Sequence, residues 1–274
     1  LVHTDLPGEE KYMPEARVMA LRQLLATTAT GGADLSVFPE LYLLENAGDI
    51  AQGFRRQVVA AVQSSGGALL FGAPTEATAP GAEPSRYNTL VYITPDGKTS
   101  LYAKELLLPF SEFLPTSPWL SWAYPYLYRY PQADLAPGDG REAPFVVQGV
   151  TLGLSICSEL AYAGKASRQA VGAGLLVNAS SDSWVPSRTY LAQAHLIARV
   201  RAAEAQKPMV RSNNVGYSAF IDERGRVMSE TSGASTAGLM SVQPRSGVTP
   251  YVALASRVSA WQQASASVER SPSP

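Results

Sequence analysis

Two stretches of helical period, each broken by a pair of glycines and followed at once by a short apolar run, most narrowly limit the folds open to this 274-residue chain. Residues 14–29 place Met19, Leu21, Leu24 and Leu25 at helical spacing, and Gly31-Gly32 then interrupts the pattern before the run Ala33-Asp34-Leu35-Ser36-Val37-Phe38-Pro39. Residues 50–64 repeat the theme with Ile50, Phe54, Val58, Val59 and Val62, followed by Gly66-Gly67 and the run 68–72. Helices alternating with strands bury their apolar faces against a sheet, so an α/β architecture is expected.

The alternation continues. A strand is expected over 88–94, ending at the turn Pro95-Asp96-Gly97. A helix over about 165–173, a strand over 174–178, a longer helix over about 187–206 stopped by Pro208, and a strand over 208–211 follow. Residues 217–227 read as a hairpin. With 46% apolar and 16% charged residues the chain can bury one large core. No linker divides it, so a single domain over 1–274 is expected, with a disordered-leaning tail at 262–274 that frays from Val268.

Three polar residues fall at comparable places, at or just beyond the ends of expected strands. Glu40 closes 33–39, Lys104 follows the strand 88–94 and its turn, and Cys157 ends the run Val150-Thr151-Leu152-Gly153-Leu154-Ser155-Ile156. A lone cysteine is by default a small buried hydrophobe. Its company points to a nucleophile. A thiol is only a few per cent ionised near neutral pH and needs a base, which Glu40 can supply once a partly apolar cleft raises its pKa. The Lys104 ammonium would stabilise the thiolate and the tetrahedral oxyanion, with the backbone N–H of Ser158; each such donor is worth roughly 3–4 kcal/mol. A rival pairing joins Cys157 to His195 as an imidazole base. His195 lies on the expected helix beside Leu191, Leu196 and Ile197, where a packed or surface histidine is the commoner explanation. Arg201 and Glu204, three apart on that helix, can pair, with an architectural role.

Composition removes several function classes. A formal net charge of −1 and a pI near 6.2, with no lysine or arginine cluster interleaved with aromatics, leave no footprint for nucleic acid. One cysteine cannot close an intrachain disulfide, and with His3 and His195 as the sole histidines no Cys/His spacing for zinc exists, so no metal is expected. The opening Leu1-Val2-His3-Thr4-Asp5 does not read as a secretory leader, and the uncharged stretch 57–75 is interrupted by polar residues, Gly66, Gly67 and Pro74, so no spanning helix is expected. The chain reads as an excised or processed piece.

From Phe113 to Tyr130 the chain carries Trp119, Trp122, Tyr124, Tyr126, Tyr128 and Tyr130 among three prolines, with Arg129 its only charge. Prolines at that density argue against one regular helix. One reading is a loop tucked onto the body of the protein. The other is an aromatic lid over an apolar site, with rings suited to a surface apolar on one side and wet on the other, a membrane headgroup layer included.

Taken together, Glu40 in Phe-Pro-Glu, Lys104 in Tyr-Ala-Lys-Glu-Leu-Leu-Leu-Pro-Phe and Cys157 in Ile-Cys-Ser-Glu resemble the Glu-Lys-Cys triad of the nitrilase (carbon-nitrogen hydrolase) superfamily in order and spacing. Arg201-Ala-Ala-Glu204, Pro208, Arg211 and Asn214-Val215-Gly216-Tyr217-Ser218, with Asp222 and Gly225, are similar to its closing segment. Leu107-Leu108-Pro109-Phe110-Ser111-Glu112-Phe113-Leu114-Pro115 resembles one branch, the apolipoprotein N-acyltransferases, as do 178–184, ending at Trp184, and Thr249-Pro250-Tyr251. The resemblance implies a four-layer αββα sandwich. It implies that an acyl chain passes from a phospholipid to Cys157 as a thioester and then to the N-terminal amine of a lipoprotein. Glu112 matches a second essential glutamate, and Glu159 an acidic position beside the nucleophile. Ser158, Glu159 and Trp184, with Trp119 and Trp122 in the lid, are the expected substrate-binding residues. No cofactor is implied. Location at the bacterial cell membrane, on its extracytoplasmic side, follows, with a membrane surface as a further partner. Ser158 stands where the branch usually has tyrosine, and Ser111 where it has glycine. The alternatives are a soluble amidase or nitrilase-type hydrolase, cytoplasmic if free-standing, in which water accepts the acyl group, and a catalytically silent binding module.

Overall fold

In the computed structural model, which describes residues 1–6, 10, 13–44, 47, 52–78, 83–113, 134–185 and 187–269, two sheets pack face to face between outer helices. One sheet runs β2 (Leu35–Val37), β3 (Ala68–Ala77), β4 (Ser85–Ile93) and β5 (Thr99–Ala103) in sequence order; β2 pairs with β3 in parallel and the rest are antiparallel. The second sheet has the order β11 (Val227–Thr231), β10 (Ser218–Ile221), β9 (Met209–Asn214), β8 (Leu175–Ser181), β7 (Val150–Ile156), β6 (Val146–Val147), parallel through β7, β8 and β9. A short antiparallel pair, β1 (Val2–His3) with β12 (Thr236–Ala237), ties the start of the chain to the segment after β11.

Side-chain alternation explains the layering. In β3, Leu70 packs between the sheets with Leu90, Tyr102, Leu154, Ile156 and Val177, while Leu69 and Phe71 face Leu24, Val58 and Val62 of α1 (Pro14–Ala29) and α2 (Gln52–Ser65). A strand covered on both faces reads as a continuous apolar run, which is why 68–72 shows no polar alternation. On the far side, Leu176, Met209 and Ala219 meet Ala198, Ala202 and Ala205 of α4 (Arg188–Ala205), with α3 (Ala163–Ala170) and α5 (Pro250–Glu269) completing that layer. The αββα sandwich implied by resemblance is the observed fold.

Two elements differ from the sequence expectation. The strand before Glu40 stops at Val37, so Glu40 sits three residues beyond it on an irregular segment. The tail expected from residue 262 is helical as far as Glu269, because α5 starts on a strong local signal: Pro250 fits the first helical position, and Thr249 Oγ1 accepts the Val252 N–H at 3.2 Å. Apart from Phe113, the expected aromatic lid 113–130 lies outside the described residues, Trp119 and Trp122 with it.

The segment after β2 is pressed onto β3. Phe38 N–H bonds Leu70 C=O at 2.8 Å, Gly72 N–H bonds Pro39 C=O at 3.0 Å, and Leu43 N–H bonds Gly72 C=O at 3.0 Å. A β-carbon at Gly72 would lie 2.3 Å from Leu41 N and 2.6 Å from Glu40 Cα, both backbone atoms that cannot swing aside. Gly72→Ala should therefore cost about 1–3 kcal/mol in urea unfolding, the range for overpacking. Gly53→Ala on α2, where a β-carbon meets open space, should be neutral or stabilising by up to about 1 kcal/mol. Equal midpoints for the two variants would contradict this account of the close approach.

Candidate active site

The clearest feature at the end of the sandwich is an ammonium held by two carboxylates. Lys104 directly follows β5, and its N–H bonds Asn88 C=O at 2.8 Å, which carries the lysine one residue past the sheet. Its side chain is 2% exposed. Nζ donates to Glu112 Oε1 at 2.9 Å, lies 2.8 Å from Glu112 Oε2, and stands 3.6 Å from Glu40 Oε1. Burial alone would depress this lysine, but the charges of Glu40 and Glu112 outweigh it and hold the ammonium above the ordinary lysine range.

Glu40 is buried and fixed from both sheets. Asn88 Nδ2 donates to its Oε1 at 2.7 Å, and the Ser181 backbone N–H, at the end of β8, donates to its Oε2 at 2.9 Å. The same Asn88 amide reaches Glu112 Oε1 at 3.0 Å, so one side chain spaces the two carboxylates on either side of the ammonium. Sequence reading passed over Asn88. The available signal was a carboxamide at the start of an otherwise apolar run, a polar group that burial obliges to find partners.

Cys157 is the first residue of a 3₁₀ turn, Cys157–Ala161, that follows β7 directly, and its φ is +47°, a left-handed conformation rare for a non-glycine residue. It is buried. Burial first, and then the negative charges of Glu40 and Asp182, push its thiol well above the ordinary range; the Lys104 ammonium and a hydrogen bond from Ser180 work in the opposite direction without overcoming them. The resting side chain is thus a neutral thiol within electrostatic reach of a carboxylate and an ammonium. Beneath it lies a buried ion pair, Arg211 Nη2 to Asp182 Oδ2 at 2.8 Å, with Asn213 Nδ2 on the same oxygen at 2.8 Å and Ser180 Oγ on the other at 2.9 Å.

Not every expected site residue joins this cluster. Glu159 is 0% exposed, and its Oε1 accepts from the Glu105 and Leu106 N–H groups while its Oε2 accepts from Tyr102 Oη and the Ile156 N–H. Four donors fill its acceptor positions, so its geometry is that of a clamp between the end of β7 and the loop after Lys104, not of a substrate contact. Burial raises its pKa, with the nearby Lys165 acting against that shift. Lys165 in turn pairs with Glu105. Ser158 is half-buried, with its Oγ shielded from solvent and unpaired. Trp184 is 51% exposed and meets the Tyr190 ring edge-on at 6.1 Å. Tyr190, on the first turn of α4, has its phenol raised first by burial and then by negative charge around Cys157 and Asp182, within whose electrostatic reach it lies; a tyrosine in a polar helical stretch carried no sequence signal. His195 stands 3.4 Å from Glu230 and against the Tyr217 ring, in a structural setting as expected, with burial lowering its pKa. Among the described residues no group of three or more His, Cys, Asp or Glu could hold a metal.

Residues 9–250 match the carbon-nitrogen hydrolase family. The chain is 30% identical over 254 residues, 92% of its length, to the apolipoprotein N-acyltransferase of Nitrosomonas europaea, and covers 50% of that protein. It spans about half the length of the curated relatives it matches. In structure it is similar to a mutant of the Nesterenkonia AN1 amidase from the nitrilase superfamily (TM-score 0.59, 16% identity, 85% of each chain). It is also similar to a carbon-nitrogen hydrolase from Helicobacter pylori (TM-score 0.58, 19% identity, 86% of this chain and 85% of that one).

Two outcomes are expected of this geometry. Lys104→Met strands two carboxylates in a buried cluster and should lower stability by about 3–5 kcal/mol; adding Glu112→Gln should restore part of that loss in denaturant titrations. An additive double mutant would show that the two side chains do not share one charge balance. For the thiol, an ordinary cysteine is about a quarter ionised near pH 8. Because Cys157 is the only cysteine and is shifted upward, the folded protein should show almost no thiolate absorbance there, and unfolding in urea at the same pH should reveal it. The sign follows: above the ordinary thiol pKa the unfolded chain releases a proton that the folded chain keeps, so this group's contribution to stability falls as pH rises.

Proposed function

The chain belongs to the carbon-nitrogen hydrolase family, and from that premise we propose that it is the catalytic part of an acyltransferase that moves an acyl chain from a phospholipid, through a thioester on Cys157, to the N-terminal amine of a lipoprotein. The observation that carries this reading is 30% identity over 92% of the chain with an apolipoprotein N-acyltransferase. The geometry supplies a route. The resting thiol is neutral and buried, so attack needs a base at hand; Glu40 takes the Sγ proton as sulfur bonds the ester carbonyl carbon. The Lys104 ammonium, held charged by Glu40 and Glu112, stabilises the oxyanion, and the Ser158 backbone N–H serves as a second donor. Collapse of the tetrahedral intermediate breaks the ester C–O bond, and the proton on Glu40 passes to the departing lysophospholipid oxygen. In the second half the acceptor amine attacks the thioester carbonyl, Glu40 takes its proton, and the sulfur leaves and regains a proton.

Glu112 has a distinct part in this proposal. It holds the ammonium and the 108–113 turn at once, since its Oε2 also accepts the Leu108 N–H at 2.8 Å. Glu159 sets the backbone of the 105–106 loop, directly after Lys104, and of Ile156, directly before Cys157. Trp184 and Tyr190, whose rings meet edge-on, with Tyr190 in electrostatic reach of Cys157, are in this reading the described aromatics that meet substrate. The location proposed is the extracytoplasmic side of the bacterial membrane, where both lipid substrates would be met. Among the described residues no helix is long and apolar enough to cross a membrane.

Incubation with a labelled phospholipid followed by intact-mass analysis tests the reading. An acyl adduct should form on the wild-type chain, be absent from Cys157→Ala, and form about 10²–10⁴-fold more slowly in Glu40→Gln, the usual contribution of a positioned base. Turnover of small amides with no lipid adduct would assign the chain to the hydrolase reading instead, with water as the acceptor.

A further inference from the structure

The turn that carries Glu112 contains an expensive residue. Phe110 has φ +64°, a left-handed conformation that crowds any β-carbon and is worst for bulky side chains. Its side chain is also 62% exposed, so folding recovers little apolar burial in return. The conformation is enforced from both sides. The Phe110 N–H bonds Phe113 C=O at 2.8 Å, the Glu112 N–H bonds Leu108 C=O at 2.9 Å, and the Glu112 carboxylate accepts the Leu108 N–H. That carboxylate is the one that holds Lys104, so the turn is rigidly tied to the reacting end of the site. The exposed tip is Pro109-Phe110-Ser111, without a charge. Phe110 lies two residues from Glu112, a backbone span of no more than about 7 Å. A glycine at 110 would remove the strain, so the aromatic ring is kept at a cost to the folded chain, and such outliers point to use at a functional site.

We infer that Phe110 is a specificity-determining residue: its strained, outward-held ring is a contact for the apolar chain of the acyl donor. This rests on the acyltransferase reading. A long acyl chain cannot be desolvated by the polar cluster around Lys104, and a rigid aromatic beside that cluster offers it apolar surface at little entropic cost. The ring is then a determinant of chain length and leaves the bond-making step to the groups already described.

The test compares wild type, Phe110→Gly and Phe110→Leu, with dihexadecanoyl and dihexanoyl phosphatidylethanolamine in detergent micelles as donors and Cys157 adduct formation by intact mass as readout. Phe110→Gly should lower the ratio of long-chain to short-chain rates by about tenfold, the scale of one lost apolar contact. Phe110→Leu should keep most of the ratio. Cosedimentation with phosphatidylethanolamine and phosphatidylglycerol vesicles separates a donor chain from a bilayer surface. A ratio unchanged in Phe110→Gly, whether or not vesicle binding falls, overturns the inference while leaving the acyltransferase reading intact. No adduct on wild type from either lipid overturns both.

Discussion

An ammonium buried between two carboxylates is the constraint around which this site is organised. Lys104 could not remain charged at 2% exposure without Glu40 and Glu112, and neither carboxylate could be placed there without the ammonium. The three come from different parts of the chain, on the segment after β2, directly after β5, and on the turn beyond it. Asn88, reaching both carboxylates from β4, keeps them apart and oriented. The arrangement also sets the state of the Cys157 thiol. Placed in reach of Glu40 and Asp182 and out of water, the thiol keeps its proton until a reaction draws it away, which suits an enzyme that must protect a single cysteine from adventitious chemistry.

Backbone strain gathers around the same groups. Leu41, Phe110 and Cys157 all adopt left-handed φ values, of 46°, 64° and 47°; Leu41 follows Glu40, Phe110 lies two residues before Glu112, and Cys157 is itself at the site. Such conformations cost on the order of 1–2 kcal/mol apiece. They persist because neighbouring hydrogen bonds over-determine them: the Leu43 N–H on Gly72, the turn bonds about Glu112, and Glu159 receiving the Ile156 N–H just before Cys157. The site is therefore held by two kinds of support, charge balance inside and backbone bonds behind.

Kinship and fold speak at different levels here. The amidase and hydrolase structures share the sandwich at 16% and 19% identity, which defines the architecture and leaves the acceptor open. The proposed thioester chemistry of Glu40, Lys104 and Cys157 would serve water and amine alike. What would bias it toward lipid lies outside the triad, in apolar surface near the turn that holds Glu112 and in the aromatic pair Trp184 and Tyr190.

Local pattern alone determined most of the helices and strands, because Gly31-Gly32, Gly66-Gly67, Pro95-Asp96-Gly97 and Pro208 punctuate segments whose period is unambiguous. It also marked Glu40, Lys104 and Cys157, since a polar residue at the end of an apolar strand stands out within a few residues. Helix α5 went unread although Thr249-Pro250 announces it, because its mixed composition hides the face that packs on α3. Only tertiary structure could decide that Glu159 is a four-donor clamp and that Asn88 spaces two carboxylates. Those facts depend on contacts between residues tens of positions apart, 48 in the case of Asn88 and Glu40 and 57 for Tyr102 and Glu159, and no local periodicity encodes a distance across the sandwich.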